Sequence, residues 1–346
     1  MYQKFQERYI LNILKSTDKL DYRLISQQSN ITWKVIEDHL DKPWGWTYIS
    51  KNKNITWEII NDHPDKPWCW YQISQNPNIT WDIIVQNPDK PWHWYGVSLN
   101  PNITWNIINN NRDKPWDWYG ISENLNIITW DIIKDNSDKP WNWYVISNNP
   151  NITWKIIQDN RDKSWDWYNI SMNSNITWEI IQENPNERWH WYGISRNSNI
   201  TCKIIQQNPY KPWNWIELSY NPNIIWEFIK VNLDKPWSWL VISSHTNITW
   251  EIIQENSDQP WNWRGISRNP NITWELIQQN LDKPWDWTEL SNNSAIFKIP
   301  DHVFREYFAA KKIYRYWFRC ITDPEYVICR KRLMMELLFD NKNDKI

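Results

Sequence analysis

Apolar residues recur along the chain in two short clusters, and the same pair of clusters returns about every 24 residues. The stretch from 79 to 102 reads ITWDIIVQNPDKPWHWYGVSLNPN, and the next 24 residues, ITWNIINNNRDKPWDWYGISENLN, repeat it. The step is 24 residues throughout, apart from one step of 25 where isoleucine is doubled at Ile127 and Ile128. A fixed period of this length predicts an array of stacked supersecondary units.

Both clusters are predicted to be short helices. In TWxII, threonine is a suitable N-cap and tryptophan opens the helix. In DKPWxWYxIS, aspartate is expected to cap the helix and proline to lie in its first turn, where the missing N–H costs nothing. A strand competes for the second cluster, because it is aromatic and partly alternating. The chain has only 5 glycines, and this scarcity of hairpin-turn residues favours the helix.

The predicted fold is an all-α solenoid of about eleven 24-residue helical hairpins with N- and C-terminal caps. Residues 1–30 are an imperfect repeat, in which DYRLIS echoes WxWYxIS, and residues 31–295 are the repeat array. Residues 296–346 are a C-terminal helical cap or docking segment. Since packed helices lie about 8–10 Å apart, eleven units predict an open rod or arc about 90–110 Å long.

The C-terminal segment differs from the array in composition. From Asp301 onward it carries ten basic and seven acidic residues, and two helices are predicted, divided near Asp323 and Pro324. An apolar stripe of Phe304, Phe308, Ile313 and Trp317 favours a cap on the last repeat. The alternative is a basic amphipathic helix that docks onto a partner.

Tryptophan is the unusual component, with 33 residues. Two rings separated by one residue point about 200° apart around a helix, so the WxW pair is not expected to share one face. Because both positions recur in every unit, a packing role is favoured. The alternative role is a row of aromatic platforms for bases, sugars or proline-rich peptides.

The asparagine of NIT also recurs, and we expect it to bond the turn backbone of its own unit and its neighbour. The predicted ladder includes Asn102, Asn126, Asn151, Asn175 and Asn199. Binding specificity requires differences between units, so the variable residue between the paired tryptophans is the better candidate for contacting a partner. These candidates are His93, Asp117, Asn142, Asp166, His190 and Asn214, and an ordinary solvated face is the alternative.

Several classes of function find no support in the sequence. The six histidines are scattered, and no nucleophile–base pair or glycine-rich phosphate loop is present. The net charge of −2 gives no bulk attraction to nucleic acid or anionic lipid. We therefore expect no enzymatic activity, metal or cofactor. Without a signal peptide or membrane span, a reducing cytosol is the expected compartment, and the repeated Asn-Ile-Thr is read as part of the repeat and not as a glycan acceptor.

With PWxW, NPNITW and the tail AKKIYRYWFRCITDPEYVICRKRL in view, the chain resembles tryptophan-rich repeat proteins of giant viruses of the mimivirus kind. The resemblance covers nearly the whole chain. It implies a location in the infected host cytoplasm or in the virion. It implies no activity and carries no functional residue to this chain.

The predicted function is a non-enzymatic scaffold that binds viral or host proteins along one face. One alternative is a modular single-stranded RNA binder with one base per repeat. An RNA array should align Lys and Arg along one face, whereas here each repeated Lys stands beside an Asp. A second alternative is a structural virion component without a discrete ligand.

Overall fold

A computed structural model of the chain describes residues 2–300, together with 303, 305, 309, 312–316, 318 and 319. The chain divides into two compact units, Met1–Phe297 and Lys298–Ile346. The predicted division of the tail near Asp323 lies outside the described residues, as do Phe304, Phe308 and Trp317 of the predicted stripe. Ile313, the fourth residue of the stripe, is helical and exposes 68% of its surface.

Residues 2–300 form short α-helices and contain no strand, which confirms the all-α repeat fold and excludes the strand alternative for this part of the chain. The helices are α1 (Tyr2–Ser16), α2 (Tyr22–Ile25), α3 (Trp33–Glu37), α4 (Trp46–Lys51), α5 (Trp57–Asp62), α6 (Trp70–Gln75), α7 (Trp81–Gln86), α8 (Trp94–Leu99), α9 (Trp105–Asn110), α10 (Trp118–Glu123), α11 (Trp130–Asp135), α12 (Trp143–Ile146), α13 (Trp154–Asp159), α14 (Trp167–Met172), α15 (Trp178–Glu183), α16 (Trp191–Arg196), α17 (Cys202–Gln207), α18 (Trp215–Leu218), α19 (Trp226–Lys230), α20 (Trp239–Ile242), α21 (Trp250–Glu255), α22 (Trp263–Arg268), α23 (Trp274–Gln279) and α24 (Trp287–Asn292). A 3-10 helix, η1, covers Ser294–Phe297.

The odd-numbered helices from α3 onward come from TWxII, and they begin as the sequence predicts. In α7, the Thr80 hydroxyl accepts a hydrogen bond from the backbone N–H of Ile83, and Trp81 is the first helical residue. The helix ends at Asn87, whose side-chain amide donates to the Ile83 carbonyl at 2.8 Å. Most hairpins therefore have a threonine cap at one end of the odd helix and an asparagine stop at the other. The exceptions are α3 and α5, where threonine forms no cap bond, and α19, where the N-cap is Ile225.

The even-numbered helices begin later than predicted, at the second tryptophan of WxW. Asp and Pro of DKPW lie in the preceding loop, so the prediction that this aspartate caps the helix is wrong. The indole N–H of Trp92 donates to the Asn87 carbonyl at 2.8 Å, which fixes the first tryptophan to the end of the previous helix. The N-cap of α8 is His93, the variable residue between the tryptophans.

The core lies between the odd and even helices. Each unit contributes three isoleucine-type side chains, such as Ile73, Ile79 and Ile84, of which none exposes more than 4% of its surface. Consecutive even helices pack directly on one another, whereas odd helices do not pack closely on other odd helices. The even helices are therefore closer to one another than the odd helices are. When two stacked layers of helices curve together, the layer with the closer spacing lies on the inside, so the even helices form the inner layer.

The first and last units of the array are in contact, so the expectation of an open rod or arc is wrong. Helix α2 packs on α24 as it packs on α4. The backbone N–H of Asp21 donates to the Ser291 hydroxyl at 2.8 Å, and the Gln28 side-chain amide donates to the Ser291 carbonyl at 3.0 Å. Residues 2–297 therefore form a closed ring with twelve inner helices, α2 to α24.

The twelfth unit is built from both ends of the array. Its inner helix is α24, which is followed by η1 and not by an outer helix. Helix α1 fills the missing position: Tyr9 donates to Glu275 of α23 at 2.8 Å, and Thr32, the N-cap of α3, donates to Glu7 of α1 at 2.9 Å. Because α1 lies between α23 and α3, it acts as the twelfth outer helix.

Candidate functional site

One hydrogen bond recurs at all twelve junctions between inner helices. A serine that is completely buried accepts from the backbone N–H of the residue before the next inner helix, as Ser74 accepts from His93 at 3.0 Å. The donors around the ring are Asp21, Gly45, Cys69, His93, Asp117, Asn142, Asp166, His190, Asn214, Ser238, Asn262 and Asp286. The repeated serine therefore joins neighbouring units.

The asparagines of NIT bond the preceding unit. The Asn102 amide donates to the carbonyls of Pro77 and Ile79 at 2.7 and 3.0 Å. Equivalent donations come from Asn126, Asn151, Asn175 and Asn199. These amide groups therefore join each unit to the one before it.

A second asparagine series, two residues earlier, lies deeper. Asn100 is completely buried and its amide donates to the carbonyls of Ser74, Asn76 and Ile79 at 2.9, 3.1 and 3.0 Å. This series was not predicted from the sequence, although the first asparagine of NPN recurs almost as regularly as the second, with Gln28 and His245 as the exceptions. Its regular spacing was the signal that could have identified it.

The tryptophans form a packed lattice that crosses the junctions between consecutive inner helices from α4 to α24. Trp57, Trp70 and Trp92 have ring centroids 5.3 to 6.5 Å apart. Equivalent triads follow around the ring, for example Trp105, Trp118 and Trp141. Edge-on and tilted contacts of this kind stabilise packed aromatic residues, so most tryptophans have a structural role.

Three positions of each inner helix face away from the core: the residue between the tryptophans, the residue after the second tryptophan and the residue after the serine. We call the surface formed by these positions the inner wall. All six predicted partner-binding residues lie on it. Four of them cap their own helices through a side-chain oxygen: Asp117, Asn142, Asp166 and Asn214. His93 and His190 form no cap bond and are exposed.

Six consecutive units place a tyrosine at the second of these positions. We call this row the tyrosine arc; it consists of Tyr71, Tyr95, Tyr119, Tyr144, Tyr168 and Tyr192. The rings of Tyr71 and Tyr95 are stacked at 5.9 Å with an interplanar angle of 6°, and Tyr95 lies 5.9 Å from Tyr119. The row was not predicted from the sequence, in which only the variable neighbours of these tyrosines were candidates for binding.

The two exposed histidines extend the aromatic row. His93 contacts the rings of Tyr71 and Tyr95 at 4.9 and 6.4 Å, edge-on in both cases. His190 lies between Tyr168 and Tyr192, edge-on to the first ring at 5.1 Å and tilted against the second at 5.5 Å. Two of the predicted partner-binding residues therefore belong to the same aromatic surface as the tyrosines.

Small residues permit this close spacing. Gly96 lies where an added Cβ would approach the Tyr71 carbonyl oxygen to 2.7 Å, so only glycine lets α8 pack this closely on α6. Burial, together with a hydrogen bond to Glu123, raises the pKa of Tyr95. Its phenol therefore stays protonated at neutral pH and donates to Glu123 at 3.1 Å.

The opposite part of the inner wall is charged, and its charges are partly paired. Arg264 and Arg268 both bond the carboxylate of Glu289, at 2.8 and 2.7 Å. Hydrogen bonding to Arg268 is the main reason that the pKa of Glu289 is lowered. The carboxylate is thus ionised at neutral pH and neutralises part of the charge of the two arginines.

Three equivalent pockets open beside odd helices α5, α9 and α13, with volumes of about 250, 290 and 270 Å³. Each is lined by three tryptophans and basic side chains; in the second pocket these are Arg112, Lys114 and Lys139. The two lysines are paired with the adjacent Asp113 and Asp138. These pockets lie within the packed lattice and do not form a single large cavity.

Among the described residues, no group of His, Cys, Asp and Glu is arranged to hold a metal ion, and no helix is long and apolar enough to cross a membrane. No family model, curated protein or solved structure matches the chain. The observations define a class of architecture, a closed ring of tryptophan-rich helical hairpins. The resemblance to giant-virus proteins stays a prediction.

Proposed function

We propose that this protein is a non-enzymatic scaffold that binds partner proteins on the inner wall of its ring, along the tyrosine arc. The observation that carries the proposal is the exposure of aromatic rings on consecutive units. Tyr119, Tyr144 and Tyr192 expose 44%, 57% and 52% of their surfaces. Tyrosine is enriched at protein interfaces, because its ring buries apolar area while its hydroxyl forms hydrogen bonds.

The charge of the inner wall favours a polypeptide over RNA. In the six units that carry the tyrosine arc, Arg196 is the one Lys or Arg at a wall position, against the acidic Asp117, Glu123 and Asp166. Phosphate binding requires a row of Lys and Arg. Stacked rings alone would suit bases, so single-stranded RNA is the alternative that the experiment has to distinguish.

The test uses a displayed library of random peptides and a set of random single-stranded RNA oligomers. We expect the full chain to enrich peptides but not RNA. A triple variant, Tyr119→Ser, Tyr144→Ser and Tyr192→Ser, should weaken peptide binding at least tenfold, because removing interface aromatics typically costs more than about 1 kcal/mol each.

A matched control replaces three exposed residues away from the inner wall: Val85→Ser, Tyr210→Ser and Val231→Ser. Their exposed fractions are 54%, 99% and 71%. This variant should bind peptides like the parent chain. Equal binding by the two triple variants, or enrichment of RNA in place of peptides, would contradict the proposal.

A further inference from the structure

The twelfth unit is held together by contacts between the two ends of the array, and this gives it a property that the other units lack. Everywhere else in the ring, an inner helix is joined by a short loop to its own outer helix. Helix α24 instead receives α1, which lies more than 260 residues away in sequence. We propose that α1 is exchanged between two copies of the chain, so that the α1 of one ring completes the twelfth unit of the other.

The position that α1 fills is well defined. Ile10 and Ile13 are buried to 0% and 1% exposure, and Leu14 to 7%. Tyr9 reaches Glu275 on one side, and burial together with this hydrogen bond raises the pKa of Tyr9. Glu7 accepts from Thr32 on the other side. Without α1, these apolar and polar contacts on α23, η1 and α3 would have no partner.

The contacts of α1 are equally available within one chain and between chains. Exchange replaces each contact by an identical one from the other copy, so the two arrangements contain the same bonds. The balance then depends on protein concentration relative to the effective concentration of the tethered α1, which is on the order of millimolar for short linkers. Exchange of an identical element is a common route to a dimer.

The connection between α1 and α2 favours exchange. Only residues 17–21 separate α1 from α2, and none of them is glycine or proline. A short connection of this kind restricts how α1 folds back onto its own ring, and short hinge loops are a recognised cause of exchange between copies. The partner that fits this surface is therefore a second copy of the chain.

The experiment uses two full-length preparations with different affinity tags, one of which carries the photo-crosslinking residue p-benzoylphenylalanine in place of Tyr9. The two are unfolded together, refolded at low or high protein concentration, and irradiated. We expect cross-links to the α23 peptide around Glu275 in both cases. At high concentration they should join chains with different tags, in a dimer separated by size-exclusion chromatography. At low concentration they should lie within one chain.

A second variant distinguishes exchange from unspecific association. Insertion of six Gly/Ser residues after Asp18 relaxes the connection and should shift the cross-links back to the same chain at equal protein concentration. Absence of interchain cross-links to α23 at any concentration would overturn the proposal. It would equally be overturned if dimers persisted unchanged in the insertion variant, because association would then not depend on the hinge.

Discussion

An internal junction of the ring and the junction that closes it are held by the same kinds of hydrogen bond, but the closing junction has fewer of them. Between α6 and α8, the serine contact is joined by five donations from Asn100 and Asn102. At the closing junction, Gln28 and Asn30 supply one carbonyl donation each. Leu20 also occupies the position of a lattice tryptophan. The closing junction is therefore the weaker one, and α1 partly compensates for it.

The difference shows that a repeated sequence does not make equivalent junctions. Covalent continuity forces the internal junctions to stay together, whereas the closing junction forms only if all the units before it have the correct curvature. A chain of repeats depends on nearest-neighbour contacts, and here the last contact is made with the first unit.

The largest effect is expected from Asn100→Ala, at an internal junction. The change removes three donations to buried carbonyls and the acceptor of the Asn102 backbone N–H, although the Asn76 and Ile79 carbonyls keep a second donor each. The loss should lower the free energy of unfolding by about 2–4 kcal/mol. The measurement is urea unfolding followed by tryptophan fluorescence. The matched change at the closing junction, Gln28→Ala, removes one donation and should cost about 1 kcal/mol. Equal costs would show that the two junctions do not differ.

Amide hydrogen exchange compares the junctions without mutation. The backbone N–H of Asp21 and that of Asp117 both donate to a buried serine, at 2.8 and 3.0 Å. Because the closing junction opens without breaking an internal one, the Asp21 amide should exchange at least tenfold faster, a difference of about 1.4 kcal/mol in opening free energy. If the Asp117 amide exchanges as fast as the Asp21 amide, the internal and closing junctions have the same opening free energy.

His245 occupies a position that carries asparagine at most internal junctions, and burial lowers its pKa from the ordinary 6.5. The folded ring keeps this imidazole neutral, whereas the unfolded chain takes up a proton below about pH 6.5. Stability should therefore be complete above this pH and fall as the pH is lowered. His245→Asn should remove this part of the pH dependence and stabilise the protein by about 1 kcal/mol at pH 5.

Thermal unfolding of the two chains between pH 5 and 8 checks this prediction. The asparagine at the preceding unit, Asn221, donates to the carbonyls of Ser195 and Ile200. The imidazole of His245 is hydrogen-bonded to the equivalent Ser219 and Ile224. If the melting temperatures of the parent chain and the His245→Asn variant differed by the same amount at every pH, protonation of His245 would not be coupled to unfolding.

The smallest effect concerns the unit with 25 residues. The amide nitrogen of Asn149 is buried without a hydrogen-bond partner, because the doubled Ile127 and Ile128 displace the carbonyls of the preceding turn. Deletion of Ile128 restores the 24-residue step and should give Asn149 its usual partners, with a gain of up to about 1 kcal/mol. Calorimetry would measure it; a lower melting temperature would indicate that both isoleucines are required for packing.

The sequence predicts the all-α repeat, its period and most local features, because each unit repeats one set of caps and apolar positions. Thr80 is the N-cap and Trp81 the first helical residue, as the sequence pattern predicts. The start of the inner helices was not predicted, because it depends on the Trp92 indole bonding the previous helix. Ring closure was not predictable from spacing, since curvature is a small angle per unit that helix propensity does not specify.

The tyrosine arc also required the three-dimensional structure. The identities of Tyr71 and Tyr95 were visible in the sequence, but only the inner layer's close packing, permitted by Gly96, brings their rings together. The variable residues lay on the correct surface, although Asp117 and Asp166 use their carboxylates to cap their own helices. Variation between units did not by itself distinguish a binding position from a capping position.

Because the ring is closed, every unit has a fixed angular position around a common axis. Twelve units divide the circle into steps of about 30°, so the order of residues along the chain becomes an order of directions. Tyrosines occupy one half of this circle and the Arg264–Glu289–Arg268 cluster lies in the other. A partner that contacts both halves would be held in one rotational orientation, which an open array with free ends would not impose.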